Sequence, residues 1–174
     1  LLIIDEVQTG FCRTGKWFGF EHAGIQPDAV TFAKGMGNGM PVGALWARKD
    51  IASVLQPGDH GSTYSGTALA TAAVNAVISE MKRLNAPELA VRQGARLSKG
   101  LSSIPKIDHV RGSGLLLGAQ LKDGIIAGDV YKELLEAGLI VNAVNAATLR
   151  FAPPLTVSDA EIDEAVAMVK EVLK

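Results

Sequence analysis

The chain is short of several residue types, and each shortage argues against a class of protein. Its only cysteine, Cys12, excludes an intramolecular disulfide and a CxxC metal site, and it fits the reducing cytoplasm. The histidines lack the HxxxH or HExxH spacing of metal ligands, so no metal site is expected at His22, His60 and His109. No apolar run reaches the roughly 20 residues of a transmembrane helix, and no signal peptide is visible.

An excess of charge of either sign is also missing. The chain carries 17 Lys and Arg against 18 Asp and Glu, and both signs are mixed along its length. This balance leaves no electrostatic footprint for nucleic acid or a membrane surface, and we expect neither as a partner. A hydrophobic content of 48%, with 19 glycines and 5% aromatic residues, is typical of a globular α/β protein with many tight turns.

The first residues form an apolar run at 1–4, and no methionine precedes them. Such a run is typical of a parallel strand that is covered on both faces. The rest of the sequence supplies few neighbours for such a strand. We therefore expect the chain to be the C-terminal part of a longer protein.

Hydrophobic patterning predicts an α/β fold throughout. The first part predicts three strands, at residues 1–4, 29–33 and 42–47. A long Ala-rich helix follows at about residues 67–84, and its apolar residues extend around so much of its circumference that we expect it to be largely buried. Asn85 and Glu88 resemble a capping box that opens a second helix toward Leu101.

The predicted secondary structure changes after about residue 104, where shorter strands and helices alternate. Strands are predicted at residues 109–111, 115–121, 139–144 and 148–152. A helix at about 127–137 is expected to stop at Gly138, and a capping box at 158–161 begins a terminal helix. We place a domain boundary in the long helix, which divides the chain into residues 1–80 and residues 81–174.

Two side chains of complementary chemistry follow the first two predicted strands. Asp5 ends the strand at 1–4, and Lys34 follows the strand at 29–33 and precedes a glycine-rich turn. Ligands of α/β sheets bind at the carboxyl ends of the strands, and this pair suits pyridoxal phosphate (PLP). The lysine would form a Schiff base, and the acid would keep the pyridinium nitrogen protonated. The alternatives are a solvated turn lysine and, for Asp5, a helix cap or structural salt bridge.

Other polar side chains have a functional and a structural interpretation. Gln8 suits a hydrogen bond to the cofactor phenolate or an ordinary loop, and Glu6 is expected to point away from the cofactor and pair structurally. Ser62 and Thr63 precede the long helix, where they suit a phosphate or plain N-capping equally. Arg150, within a late strand, suits a bidentate carboxylate clamp or an exposed edge-strand position.

Four segments resemble class III (ornithine-type) PLP-dependent aminotransferases. They are Asp-Glu-Val-Gln-Thr-Gly at 5–10, Pro-Asp-Ala-Val-Thr-Phe-Ala-Lys-Gly at 27–35, His-Gly-Ser-Thr-Tyr at 60–64 and Leu-Arg-Phe-Ala-Pro-Pro-Leu at 149–155. The segments follow the family's order along the whole chain, so the resemblance is specific. One departure is Ser-Gly-Thr at 65–67, where the family usually has Gly-Gly-Asn.

The resemblance implies a fold and a role for each site residue of the first part. The fold would be part of a fold-type I large domain, which has a mostly parallel sheet, plus a smaller C-terminal α/β domain. Lys34 would carry the cofactor and move the proton between the substrate α-carbon and the cofactor. Asp5 would protonate the pyridine nitrogen, and Gln8 would contact the phenolic oxygen.

The remaining site residues would bind the two anionic groups. Ser62 and Thr63 would bind phosphate, and Thr63 would reach the cofactor of the neighbouring subunit, which implies a homodimer. Arg150 would hold the substrate carboxylate. The segments at 35–44 and 138–144 are most similar to acetylornithine aminotransferases.

Acetylornithine aminotransferases exchange an amino group between N2-acetylornithine and 2-oxoglutarate in arginine biosynthesis. The family alternatives are ornithine, 4-aminobutyrate or succinylornithine as the amino donor, whereas Gln8 argues against the aminomutase branch, which tends to carry Met there. A non-catalytic piece of such an enzyme is the alternative from another class. Since the family's upstream half supplies much of the cofactor pocket, we expect the isolated chain to be inactive.

Overall fold

The seven β-strands of the computed structural model form two sheets, and each sheet belongs to one of two units of the chain. The structure describes residues 1–174, which divide into Leu1–Ala86 and Pro87–Lys174. Each unit is described by itself below. The predicted division into a portion of a large domain at 1–80 and a small domain at 81–174 stays a prediction.

The first unit contains a three-stranded mixed sheet. Its strands are β1 (Ile3–Asp5), β2 (Ala29–Phe32) and β3 (Ala44–Ala47), and its α-helices are α1 (Lys49–Ala52) and α2 (Ala68–Arg83). The order is β1-β2-β3, with β1 parallel and β3 antiparallel to β2. Two short 3₁₀-helices lie before and after β2, at Gly19–His22 and Lys34–Met36. The parallel orientation predicted for the first strand is confirmed.

The first strand is not covered within this chain, which agrees with the expectation that the sequence supplies few neighbours for it. Leu1 is 88% exposed and Ile3 is 64% exposed. Strand β1 is also an edge strand, whose one neighbour in the sheet is β2. One row of its backbone groups is therefore left without a partner in the sheet.

Helix α2 is far less buried than predicted. It begins after the N-cap Thr67, whose hydroxyl accepts a hydrogen bond from the Ala70 amide. Ala70 and Met81 are its only buried residues, and Leu69 is 69% exposed. Its main partner within the unit is the single turn at Lys34–Met36, and three short strands cannot cover a helix of 16 residues.

The second unit is a four-stranded antiparallel sheet with three helices. The helices are α3 (Ala86–Ser102), α4 (Ala127–Glu136) and α5 (Asp159–Val172), and the strands are β4 (Ile107–Ser113), β5 (Leu116–Leu121), β6 (Asn142–Asn145) and β7 (Thr148–Phe151). The strand order is β4-β5-β7-β6. Alternate residues of β5 face the core, and they meet fully buried residues of the helices and of β7: Leu101, Leu134, Leu149 and Val169.

Two helix ends of the second unit follow the sequence prediction. Gly138 has φ 95° and closes α4, since its amide donates to Leu135 and the amide of Leu139 donates to Leu134. Helix α5 begins with the predicted capping box between Ser158 and Glu161. The backbone amide and then the hydroxyl of Ser158 hold the pKa of Glu161 below its usual value.

The capping box predicted at Asn85 is wrong. An N-cap residue has an extended backbone, whereas Asn85 has φ 49° and its amide donates to the carbonyl of Lys82. Asn85 therefore closes the last turn of α2. None of the helices combines the length and apolar character that a membrane crossing requires.

We predict that Gly94 in α3 cannot be replaced by alanine without a loss of stability. An added Cβ would lie 2.0 Å from the carbonyl oxygen of Gly114, a backbone atom that cannot rotate away. We expect Gly94→Ala to lower the free energy of unfolding of residues 87–174 by about 2 kcal/mol or more. Hydrogen exchange of the β5 and β7 amides measures the change.

Gly128→Ala is the matched control, because Gly128 also lies in a helix but no atom lies within 4 Å of its added Cβ. This variant should leave the exchange rates unchanged or slow them. Equal destabilisation by both substitutions would contradict the close approach of Gly94 to Gly114.

Candidate active site

Lys34 lies directly after β2 in a strained turn. Its φ is 44°, a left-handed backbone conformation that costs free energy for a residue with a Cβ. The turn is held because its carbonyl accepts hydrogen bonds from the amides of Gly37 and Asn38, each at 3.0 Å. The side chain is exposed, and its Nζ donates to Oε1 of Gln8 at 2.6 Å. The structure thus brings two of the predicted site residues together.

Asp5 is the last residue of β1, and β1 pairs with β2, the strand that precedes Lys34. In the parallel register Asp5 is opposite Thr31, three residues before the lysine. Oδ1 of Asp5 accepts hydrogen bonds from the Thr31 hydroxyl at 3.1 Å and from the Val7 amide at 2.9 Å. The carboxylate is exposed, so these bonds orient the side chain without removing it from solvent. Neither a helix cap nor a salt bridge accounts for Asp5.

The segment between β1 and β2 is anchored by Glu6, which is 1% exposed. Its carboxylate accepts hydrogen bonds from the Thr9 hydroxyl at 2.5 Å and from the amides of Gly19 and Phe20 at 2.9 and 2.8 Å. The prediction that Glu6 has a structural role is confirmed.

The aromatic rings of this segment pack against β2. Phe11 makes edge contacts with Phe18 and with Phe32, and Phe18 stacks on Phe20. Phe11 itself has φ 54°, so a second strained turn lies next to the lysine turn. Phe32 is the last residue of β2, and this cluster therefore packs against the backbone two residues before Lys34.

Ser62 and Thr63 lie in an exposed loop before α2. The hydroxyl of Ser62 accepts a hydrogen bond from the Tyr64 amide at 3.4 Å, and the cap of α2 is Thr67. N-capping therefore does not explain either residue. Both hydroxyls lie on the surface, and neither forms a hydrogen bond with Lys34 or Gln8.

Arg150 belongs to the second unit and lies on β7, between β5 and β6. The alternative of an exposed edge strand is therefore wrong. Its Nη2 donates to Oδ1 of Asn142 at 2.9 Å, while its Nε is buried and has no hydrogen-bond partner. The guanidinium lines a cavity of about 480 Å³ whose other walls are largely apolar. A guanidinium at such a wall suits an anionic group.

Cys12 lies in the core of the first unit and is fully buried. Burial, and secondarily the charge of Glu21, raises the pKa of its thiol to about 11. Because the thiolate is the reactive form, the thiol is inert near neutral pH. The expectation that Cys12 has no catalytic role agrees with this environment.

Sequence reasoning missed two partners that the structure supplies. Thr31 orients Asp5, and Asn142 holds Arg150. The alternation of β2 gives a signal for Thr31, since it is the polar residue of an apolar strand. The sequence carries no local signal for Asn142.

Comparison with known proteins assigns these residues to a family. A family profile described as "Aminotransferase class-III" matches residues 1–173. The acetylornithine aminotransferases of Caldanaerobacter subterraneus and Bacillus subtilis are each 44% identical over 99% of this chain, which covers 44% and 45% of those proteins. The chain therefore spans somewhat less than half the length of the relatives it matches. This match confirms the resemblance found in the sequence.

Solved structures give the same result for the fold. The ornithine aminotransferase of Toxoplasma gondii superimposes with a TM-score of 0.90 at 33% identity, over 99% of this chain and 43% of that one. The acetylornithine aminotransferase of Elizabethkingia anophelis gives 0.86 at 32% identity, over 99% and 45%. The predicted α/β fold, a part of the fold-type I architecture, is confirmed.

We predict that the backbone of Lys34 stores strain that glycine relieves. Glycine adopts φ 44° without a steric cost, whereas alanine does not. Lys34→Gly should therefore be more stable than Lys34→Ala by about 1 kcal/mol. Urea unfolding followed by fluorescence measures this in the first unit, because both tryptophans, Trp17 and Trp46, lie there. Equal stability of the two variants would show that the turn carries no strain.

We also predict that Cys12 reacts with iodoacetamide only slowly at pH 8 in the folded chain, and at the rate of a free thiol in urea. Since its pKa rises from 9.0 to about 11 on folding, the neutral thiol stabilises the fold below pH 9. This stabilisation should be lost as the pH rises from 9 through about 11. Labelling at pH 8 that is equally fast with and without urea would contradict the burial.

Proposed function

Because the chain belongs to the class III aminotransferases, we propose that its Lys34 is the cofactor-bearing lysine of an acetylornithine aminotransferase. PLP is the cofactor of this family. The observation that carries the proposal is the hydrogen bond between Lys34 Nζ and Gln8, formed beside the strand that ends in Asp5. The proposed reaction moves an amino group from N2-acetylornithine to 2-oxoglutarate, in arginine biosynthesis.

The side chains of the first unit fit PLP chemically. A primary amine, a carboxylate and an amide stand at the ends of two adjacent parallel strands, and all three are accessible. Bonds to Thr31 and Val7 orient the Asp5 carboxylate. Strain in the backbone of Lys34 fixes the direction in which its side chain leaves the sheet.

When bound, PLP supplies an electron sink for the charge that develops where the substrate loses its proton. Lys34 would be the attachment point, and its amine would then take the proton from the carbon bearing the substrate amino group and deliver it to the cofactor. Asp5 holds a positive charge at the ring nitrogen by a charge-assisted hydrogen bond. Gln8 would donate a hydrogen bond from its Nε2 to the phenolic oxygen, whereas its Oε1 is the atom that accepts from Lys34.

The anionic groups of cofactor and substrate are assigned to the other site residues. Ser62 and Thr63 donate to phosphate, and Thr63 does so for the neighbouring subunit of a homodimer. The exposure of their loop and the independent cap at Thr67 support this role. Arg150 holds the substrate carboxylate, which its position on the cavity wall supports.

The amino donor and the setting complete the proposal. Relatives at 44% identity carry the acetylornithine name, and the ornithine aminotransferase of known structure is 33% identical, so acetylornithine is preferred and ornithine is the second candidate. A single buried thiol, Cys12, fits a cytoplasmic location. We expect the isolated chain to be inactive, because Lys34 and Asp5 are both exposed to water.

Reductive trapping tests the assignment of Lys34. We expect that borohydride reduction of the chain with PLP labels Lys34 above all other lysines, because Gln8 and Asp5 offer partners to the ring beside it. Peptide mapping by mass spectrometry locates the label. Lys34→Ala should remove most of it, whereas Lys49→Ala, at an exposed lysine of the same unit, should leave it unchanged. Labels spread evenly over the surface lysines would argue against the site.

A further inference from the structure

We propose that Glu6 is a positioning residue for the Lys34–Gln8 pair and that it acts through the hydroxyl of Thr9. The inference rests on the proposed function, since positioning matters only if Lys34 and Gln8 act on a ligand. Glu6 directly follows Asp5, yet it is buried where Asp5 is exposed. The two adjacent carboxylates therefore have different tasks, one toward solvent and one toward the loop.

The burial of Glu6 requires strong compensation. A carboxylate removed from water costs several kcal/mol unless donors replace its hydration. Oε2 accepts from the Thr9 hydroxyl and from the Gly19 amide, and Oε1 accepts from the Phe20 amide. Bonds of this charge-assisted kind are stronger than those between neutral groups, so they fix the loop with little freedom.

Two glycines, Gly10 and Gly19, let the backbone of the loop pass close to Glu6. A Cβ added at Gly19 would lie 3.2 Å from both carboxylate oxygens, and one added at Gly10 would lie 2.8 Å from the Glu6 carbonyl oxygen. Both glycines thus allow the loop to approach Glu6 closely. The amide of Gly10 also donates to that carbonyl oxygen at 2.9 Å, so Thr9 is fixed from both sides.

The bond to Thr9 is what connects Glu6 with the site. Thr9 directly follows Gln8, whose side chain accepts the hydrogen bond from Lys34 at 2.6 Å. The far part of the loop has another anchor, because Oε1 of Glu21 accepts from the Phe18 amide at 2.9 Å. The Thr9 hydroxyl therefore adds little to holding residues 18–20, and its effect falls on the backbone that carries Gln8.

The experiment measures the reactivity of Lys34 toward formaldehyde and dimethylamine–borane, with mass spectrometry of the methylated peptides and Lys82 as the internal reference. Thr9→Val removes one hydroxyl and leaves the two amide bonds of Glu6. We expect Lys34 to be methylated about fivefold faster in this variant, a factor that corresponds to the loss of one hydrogen bond. Glu6→Asp, which draws the carboxylate back from Thr9, is the second variant with the same expected direction.

Three controls separate positioning from a general loosening of the loop. Thr9→Ser keeps the hydroxyl and should retain the wild-type rate, and Glu21→Gln loosens the Phe18 anchor and should also retain it. Gln8→Ala should speed methylation by itself, and adding Thr9→Val to it should have no further effect.

The proposal is overturned if Thr9→Val leaves the rate unchanged, if Glu21→Gln raises it equally, or if the effects of Thr9→Val and Gln8→Ala add. The fluorescence of Trp17 and Trp46 shows whether each variant is folded. The assay contains no PLP, so its result is independent of the trapping experiment. A failure of the proposed function would appear in the trapping alone.

Discussion

The parallel pairing of β1 with β2 is the interaction on which the site in residues 1–86 depends. It places the carboxyl ends of both strands at the same end of the sheet, so that Asp5 and Lys34 both lie at that end. The register is specific, because a shift by one residue would turn every side chain to the opposite face. Thr31 reinforces the register with a hydrogen bond to Asp5 across the two strands.

Local signals were sufficient for much of the fold and for placing Asp5 and Lys34 at the ends of neighbouring strands. The capping box of α5 and the glycine after α4 depend on neighbours within a few residues, and both were predicted correctly. The rule for strand ends located Asp5 and Lys34 for the same reason, since each follows a short apolar strand. These are features that a single stretch of sequence determines.

The errors concern properties that depend on what packs against a segment. The apolar residues of α2 predict burial, but burial requires a neighbour, and composition cannot supply one. The position of Arg150 on an inner strand results from the order β4-β5-β7-β6, which joins distant parts of the chain. The left-handed turn at Lys34 likewise results from the packing around it, since nothing in the residue type favours it.

The crossover between β1 and β2 has a consequence for the order in which the chain folds. Asp5 and Lys34 lie on opposite sides of this segment, and their strands are parallel, so no local hairpin can join them. The entropy of closing the whole segment must be lost before β1 gains its partner, whereas β2 can pair with β3 beforehand. Parallel contacts of this kind form late and slowly. Lys34 therefore acquires Asp5 and Gln8 as neighbours only after Glu6 and the phenylalanine rings have ordered the crossover. Nascent chains would pass through a stage in which the amine is an ordinary surface lysine.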